Sequence, residues 1–325
     1  MNNPQSHILL DLYGKMLLAR SFEFTHEREF RKGNLPGSLH TALGHEAVVA
    51  AVAQCLRKTD KFFCDQRSSS LHLLAGMPGE RFLAELAGKE TGVCRGRGGM
   101  IHSVDPSIGS FAGSSVIGQI LVVSLGVAMG LKMDRTDNIT VVIVGDGASG
   151  RGEWHECMNL ASTWKAPLVI CCANNGYAIS TPVAAAHATA DLYEYAAAYR
   201  MPAVQVDGND ALASYNAVRD AVAHARSGNG PAFVELKTWR WDPCFSGEMR
   251  SPEEVHYWRE VHEPLRLARQ AILAEGLADE AQLDALHAAT DAQVAEWWRF
   301  AQESPLADPS IVTANVYAGW EVETR

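Results

Sequence analysis

The segment from Ile139 to Gly176 constrains this chain more than any other. Ile139-Thr140-Val141-Val142-Ile143-Val144 is a strand-forming run that leads into Gly145-Asp146-Gly147. A second apolar run, Leu168-Val169-Ile170-Cys171-Cys172-Ala173, leads into Asn174-Asn175. The residues between, from about Glu153 to Trp164, are patterned as a helix. Strand, helix, strand makes one right-handed crossover of a parallel sheet. Each polar cluster then falls just past the carboxyl end of its strand, where open parallel sheets bind ligands. Asp146 and Asn175 are brought to neighbouring strand ends, and a carboxylate beside an amide oxygen suits Mg²⁺. Gly147 lets a phosphate approach the backbone, and Ala148 follows at a helix entrance, whose free N–H groups favour anions. Asn-Asn-Gly is also ordinary turn chemistry, so a plain buried strand end followed by a turn is the competing reading.

The order G-D-G, helix, N-N resembles the thiamine-diphosphate-binding motif. Further stretches extend the resemblance along most of the chain. Leu39-His40-Thr41-Ala42-Leu43-Gly44-His45-Glu46-Ala47 is similar to H-x-x-x-G-Q-E-A, with His45 in place of Gln. Gln66-Arg67-Ser68-Ser69 is similar to Y-R-x-H, with Gln66 for Tyr and Ser69 for His. Gly96-Arg97-Gly98-Gly99-Met100-Ile101-His102 is similar to G-R-G-G-S-M-H, and Val206-Asp207-Gly208-Asn209-Asp210 to V-D-G-x-D. Thr238-Trp239-Arg240-Trp241-Asp242-Pro243-Cys244-Phe245 is similar to T-Y-R-Y-H-G-H-S, with both His and the Ser replaced. The family is that of the α subunits of the first, dehydrogenase component of 2-oxo acid dehydrogenase complexes, with the similar acetoin dehydrogenase α subunit.

That resemblance implies an α/β, three-layer thiamine-diphosphate-binding fold with a central parallel sheet and a C-terminal helical extension. Residues 1–248 would form the diphosphate-anchoring domain, and 249–325 the extension and a subunit contact. It implies thiamine diphosphate and Mg²⁺ as cofactors, with Asp146, Asn175 and the backbone carbonyl of Tyr177 on the metal. Arg67, Ser115, Ile117, Gly147, Ala148 and Arg240 would contact the cofactor, the loop at Ser115 and Ile117 meeting its aminopyrimidine ring. His40 and Arg240 would be catalytic. His102 either lies near the cofactor or holds its own loop. A guanidinium fork suits a pair of diphosphate oxygens.

Composition excludes other classes. A net charge of −10 argues against nucleic acid and anionic membranes as partners. No apolar run reaches the ~18–20 residues of a membrane span. Met1-Asn2-Asn3-Pro4 does not start a secretion signal, and seven cysteines without regular spacing fit a reducing cytoplasm. The periodicity predicts a helix over 7–31, with Glu23, Glu27, Arg28 and Arg31 solvated and Phe22 and Phe24 packed. Shorter helices are expected over 46–56, 80–90 and 191–199, and a long one from about 111–118 to Met133. Asp210 reads as the N-cap of a helix running to Ala225. Strands are expected at 203–206 and 232–236, and two helices within 265–301, where Trp297-Trp298 suggest burial against a partner chain.

The function implied is cleavage of a 2-oxo acid or acetoin, with transfer of the acyl unit to a lipoyl group on an acyltransferase. The acid that bonds the aminopyrimidine ring comes, in this family, from a β chain; two α and two β chains are expected. Ser69, Asp242 and Cys244, standing where the family has His, leave two alternatives open. One is a carboligase or transketolase-like α subunit that passes its carbon unit to an aldehyde, ketone or acyl carrier. The other is a silent cofactor-binding subunit.

Overall fold

The computed structural model describes residues 4–111, 113–243 and 250–313. Seven short strands occur in this part of the chain: β1 (Lys61–Cys64), β2 (Thr140–Gly145), β3 (Leu168–Asn174), β4 (Tyr177–Ala178), β5 (Thr181–Pro182), β6 (Ala203–Asp207) and β7 (Ala232–Lys237). Five form one sheet in the order β1-β2-β3-β7-β6, every pair parallel. β4 and β5 are a separate antiparallel pair directly after the Asn-Asn turn. The chain is therefore α/β, with a helical C-terminal region.

Alternation along the strands explains the layers. Val142, Val144, Ile170 and Cys172 turn to one face, against Leu121, Leu125, Trp154 and Met158. Val141, Ile143, Val169 and Cys171 turn to the other, against Val48, Val52, Val218 and Val222. A sheet covered on both faces needs near-continuous apolar strands, which is what β2 and β3 supply. Cys171 and Cys172 thus fill opposite faces of the core, and burial pushes both thiols up.

Helices Pro264–Ala274 and Glu280–Glu303 pack back on the first helix, Pro4–Arg31. Trp298 is buried with Phe22, Phe82 and Val294, and a Cβ on Gly79 would stand 2.3 Å from the Trp297 ring. The adjacent tryptophans find their cover inside the chain. Several sequence expectations need correction. Glu23 is fully buried, because the first helix is packed on more than one side, while Phe24 is half exposed. The long helix begins only at Gln119, after Gly118 adopts φ +88°, and the helix expected at 191–199 is the single turn Glu194–Ala197. Asp210 does cap its helix, accepting from Ala213 N–H at 2.9 Å. Cys244, Phe245, the boundary at 248/249 and the tail from 314 lie outside the described residues. Among the described residues no helix is long and apolar enough to cross a membrane.

Candidate active site

β2 and β3 run side by side, with Gly145 opposite Ala173, so their ends deliver Asp146 and Asn175 to one place. The Asn175 N–H donates to Asp146 Oδ1 at 3.3 Å, and the Tyr177 N–H to Asn175 Oδ1 at 3.3 Å. Asp146 is only 2% exposed, and its Oδ2 has no hydrogen-bond partner in the structure. Burial pushes its pKa up to about 6, against the Asn175 N–H and the Arg240 charge. A buried carboxylate oxygen without a donor is costly unless a cation belongs there. Among the described residues no three His, Cys, Asp or Glu side chains converge on a metal position. An ion here would take one carboxylate, an amide oxygen and a carbonyl, and complete its shell from its own ligands, which is how Mg²⁺ on a phosphate is held.

The two asparagines have separate jobs. Asn174 turns inward, its Nδ2 donating to Glu235 Oε1 at 2.6 Å and its Oδ1 accepting from Gly176 N–H at 3.0 Å. Gly176 adopts φ +85°, the left-handed turn position. Fully buried Glu235 also accepts from Tyr193 N–H at 2.9 Å and pairs with Lys237 Nζ at 2.9 Å. The turn chemistry of Asn174 is what presents Asn175 to the cleft. Sequence reasoning missed Glu235; its signal was an acid in the middle of the apolar run Phe233-Val234-Glu235-Leu236.

Opposite stands a cationic wall. Arg67, 8% exposed, comes from the 3₁₀ turn Gln66–Ser68 after β1, and neither of its Nη atoms has a hydrogen-bond partner. Arg240 is buried and donates through Nη2 to the Ile179 carbonyl. Its neighbours fix it: Arg250 lies 3.9 Å over the Trp239 ring and Arg20 lies 4.2 Å over Trp241. The loop before Glu46 docks on the same segment. Trp241 N–H donates to Leu43 O at 2.9 Å, and Thr238 Oγ1 to Gly44 O at 2.9 Å. Gly44, at φ +94°, must be glycine, since a Cβ would stand 2.0 Å from the Trp239 carbonyl oxygen. This docking sets His40 beside both arginines. Burial, then Arg67 and Arg240, push its pKa down to about 4, and the same causes push His45 down to about 3. Both imidazoles are neutral at pH 7, and the wall's charge is that of the guanidiniums.

His40, Arg67, Ser115, Ile117, Asp146, Gly147, Ala148, Asn175, Tyr177 and Arg240 all line one cleft of about 460 Å³. Asp65 and Gln66, for which the sequence supplied no role at the site, line it too. A sequence profile described as the dehydrogenase E1 component matches residues 13–310. The chain belongs to that family.

Curated relatives agree. The chain is 33% identical, over 95% of its length and 93% of theirs, to the α subunit of acetoin:2,6-dichlorophenolindophenol oxidoreductase of Bacillus subtilis (strain 168). It is 32% identical to the pyruvate dehydrogenase E1 component subunit alpha of Rhizobium meliloti (strain 1021), over 94% of this chain and 89% of that one. The chloroplastic pyruvate dehydrogenase E1 component subunit alpha-3 of Oryza sativa subsp. japonica is 32% identical over 95% of this chain and 75% of its own. As a dehydrogenase E1 component, the chain is part of a thiamine-dependent oxidoreductase, with thiamine diphosphate and Mg²⁺ as cofactors. The orphaned Asp146 oxygen and the two arginines facing it fit a diphosphate that carries its metal.

Three details of this dehydrogenase E1 component depart from expectation. Ala148 does not open the helix; Asp146–Gly150 is a separate 3₁₀ turn, and the helix runs Gly152–Thr163. Ser149 Oγ bonds back to Asp146 O at 2.6 Å, closing that turn early. Gly147 is required first by protein, since a Cβ would stand 2.9 Å from Ala178 Cβ. The glycine-rich loop lies outside the cleft lining and closes on the chain's own Glu85. That carboxylate accepts N–H bonds from Cys94, Gly96, Gly98 and Gly99 at 2.7, 2.8, 2.6 and 3.2 Å. His102 sits 3.3 Å from Gly113 O, holding the loop. Asp242 accepts from Thr41 Oγ1 at 2.7 Å, next to His40.

Proposed function

We propose that the chain is the α subunit of an enzyme that cleaves a 2-oxo acid or acetoin and passes the acyl unit to a lipoyl group, active only with a β subunit. The observation that carries this reading is the unpartnered Asp146 oxygen beside Asn175, faced by Arg67 and Arg240. In it Asp146, Asn175 and the Tyr177 carbonyl hold Mg²⁺, and the two guanidiniums bind diphosphate oxygens. Bound thiamine diphosphate supplies the electron sink for breaking the carbon–carbon bond next to a carbonyl. His40, neutral at pH 7 and lining the cleft, is placed to donate or accept a hydrogen bond at the substrate. Gly147 and Ala148 meet the diphosphate through their backbone, and Ser115 and Ile117 the aminopyrimidine ring.

The β subunit supplies the acid for that ring. The carboxylates lining this chain's cleft are Asp65 and Asp146, both at strand ends beside the arginines. Val116 and Ile117 leave 52% and 51% of their surface bare at the cleft, apolar surface that a second chain would cover. Two α and two β chains, serving a lipoyl-bearing acyltransferase, complete the assembly. A carboligase reading is kept because Ser69 and Asp242 stand where the family pattern has imidazoles.

Co-expression with a β partner tests both. Lipoamide-dependent turnover of pyruvate or acetoin is the expected result. Carboligation products without lipoamide would establish the rival, and no turnover with any donor would leave a silent cofactor-binding subunit.

A further inference from the structure

β7 ends at Lys237, and Trp239-Arg240-Trp241 runs on past the sheet. The C-terminal region grips that segment. Ser251-Pro252-Glu253-Glu254 starts the short helix Pro252–His256, with proline at its first position and Ser251 Oγ accepting from Glu254 N–H at 3.1 Å. Arg250 donates to Arg240 O at 2.5 Å and to Trp241 O at 3.1 Å, and Arg259 donates to Trp241 O at 2.6 Å. Trp258 stacks on Trp239, with ring centroids 6.5 Å apart.

Glu254 reaches further than these. Its Oε1 accepts from Trp239 Nε1 at 3.0 Å, and its Oε2 accepts from the Tyr177 hydroxyl at 3.4 Å. The two donors stand 62 positions apart in the chain and belong to opposite sides of the cleft. Trp239 directly precedes Arg240, whose side chain lines it. Tyr177 lines it too, and opens the hairpin of β4 and β5 just after Asn175. A carboxylate can accept from two donors at once, and its charge strengthens both bonds. A site whose walls are already tied does not spend binding energy on ordering them.

We propose that Glu254 is a positioning residue of the cofactor cleft. Its carboxylate ties the Tyr177 turn to the Arg240 segment and so presets the gap between the metal position and the guanidinium. The inference rests on the function proposed above and deepens it. The C-terminal region, expected from the sequence as a subunit contact, then also shapes the cofactor cleft from within its own chain.

The test is calorimetric titration of thiamine diphosphate with Mg²⁺ into the α–β complex, alongside kcat at saturating cofactor. Glu254→Ala should weaken cofactor affinity about tenfold and leave kcat within about threefold. Glu254→Gln keeps an acceptor for the indole and offers the phenol an amide partner, so its affinity should stay within about threefold of wild type. Tyr177→Phe combined with Trp239→Phe removes both donors and keeps both rings. That pair should match Glu254→Ala, and adding Glu254→Ala to it should cost no more than about threefold further. If Glu254→Ala does not assemble, the donor-less pair is read in its place. Unchanged affinity in Glu254→Ala or in that pair, a glutamine variant as weak as the alanine one, or a further tenfold loss in the triple variant overturns the proposal. A wild-type complex that binds no cofactor would instead defeat the function it rests on.

Discussion

Two glycine-rich stretches of this chain look alike as strings and end in opposite states. The loop of Gly92–Gly99 gathers four backbone N–H groups around the buried carboxylate of Glu85. The stretch Gly145–Gly147 instead leaves a buried carboxylate oxygen with no donor, across a cleft from the Arg67 Nη atoms, which have no hydrogen-bond partner either. The first site brings its own anion and is closed. The second sets an unpartnered carboxylate oxygen and unpartnered guanidinium nitrogens around one cleft, groups that a bound ligand can complete. Glycine marks where the backbone must come close, and the charges nearby decide whether protein or ligand completes the contact.

The largest effect should come from breaking the closed site. Glu85→Ala would strand four N–H groups inside the fold, and we expect a loss of about 4 kcal/mol in denaturant unfolding. A loss under about 1 kcal/mol would mean the loop does not depend on its internal anion. The open site should respond in the reverse direction. With its pKa raised to about 6 from 3.8, Asp146 holds more protons folded than unfolded between those values. Stability of the cofactor-free chain therefore falls as pH rises through that window, and the full penalty is present above pH 6. Asp146→Asn should remove that slope and gain about 2–3 kcal/mol at pH 7. An unchanged pH profile would contradict the burial argument.

A smaller effect tests what aims Asn175. Glu235→Gln keeps an acceptor for Asn174 but turns a donor toward the Tyr193 N–H, so cofactor and Mg²⁺ should bind about tenfold more weakly with the fold retained. Equal affinity would make Glu235 a core residue only. The smallest effect compares histidines by NMR titration. His72 is pushed down to about 4 by burial alone, whereas Arg67 and Arg240 help depress His40 and His45. All three bind more protons unfolded, so each withdraws stability as pH falls below 6.5. An anion in the cleft should raise the pKa of His40 and His45 by up to about one unit and leave His72 in place.

The strand–helix–strand unit was legible because its apolar runs and polar ends are local. The cleft residues were legible through motifs, and all of them line one space. What stayed hidden were buried acids. Glu23 and Glu85 look in the string like any solvated glutamate, and only its apolar flanks set Glu235 apart, yet each is buried among partners that the chain reaches elsewhere: Ser69, the 94–99 backbone, and Asn174 with Tyr193. Gly44 was legible as a motif letter, but its reason, the Trp239 carbonyl, arrives from the segment that follows β7, nearly two hundred positions along the chain. Local pattern cannot announce partners of that kind.

The most direct measurement is calorimetric titration of thiamine diphosphate with Mg²⁺ into the α–β complex, wild type against Asp146→Ala. Weakening of about a hundredfold, with assembly intact, is the predicted result. Equal affinity in the two proteins would contradict the claim that this carboxylate carries the ion.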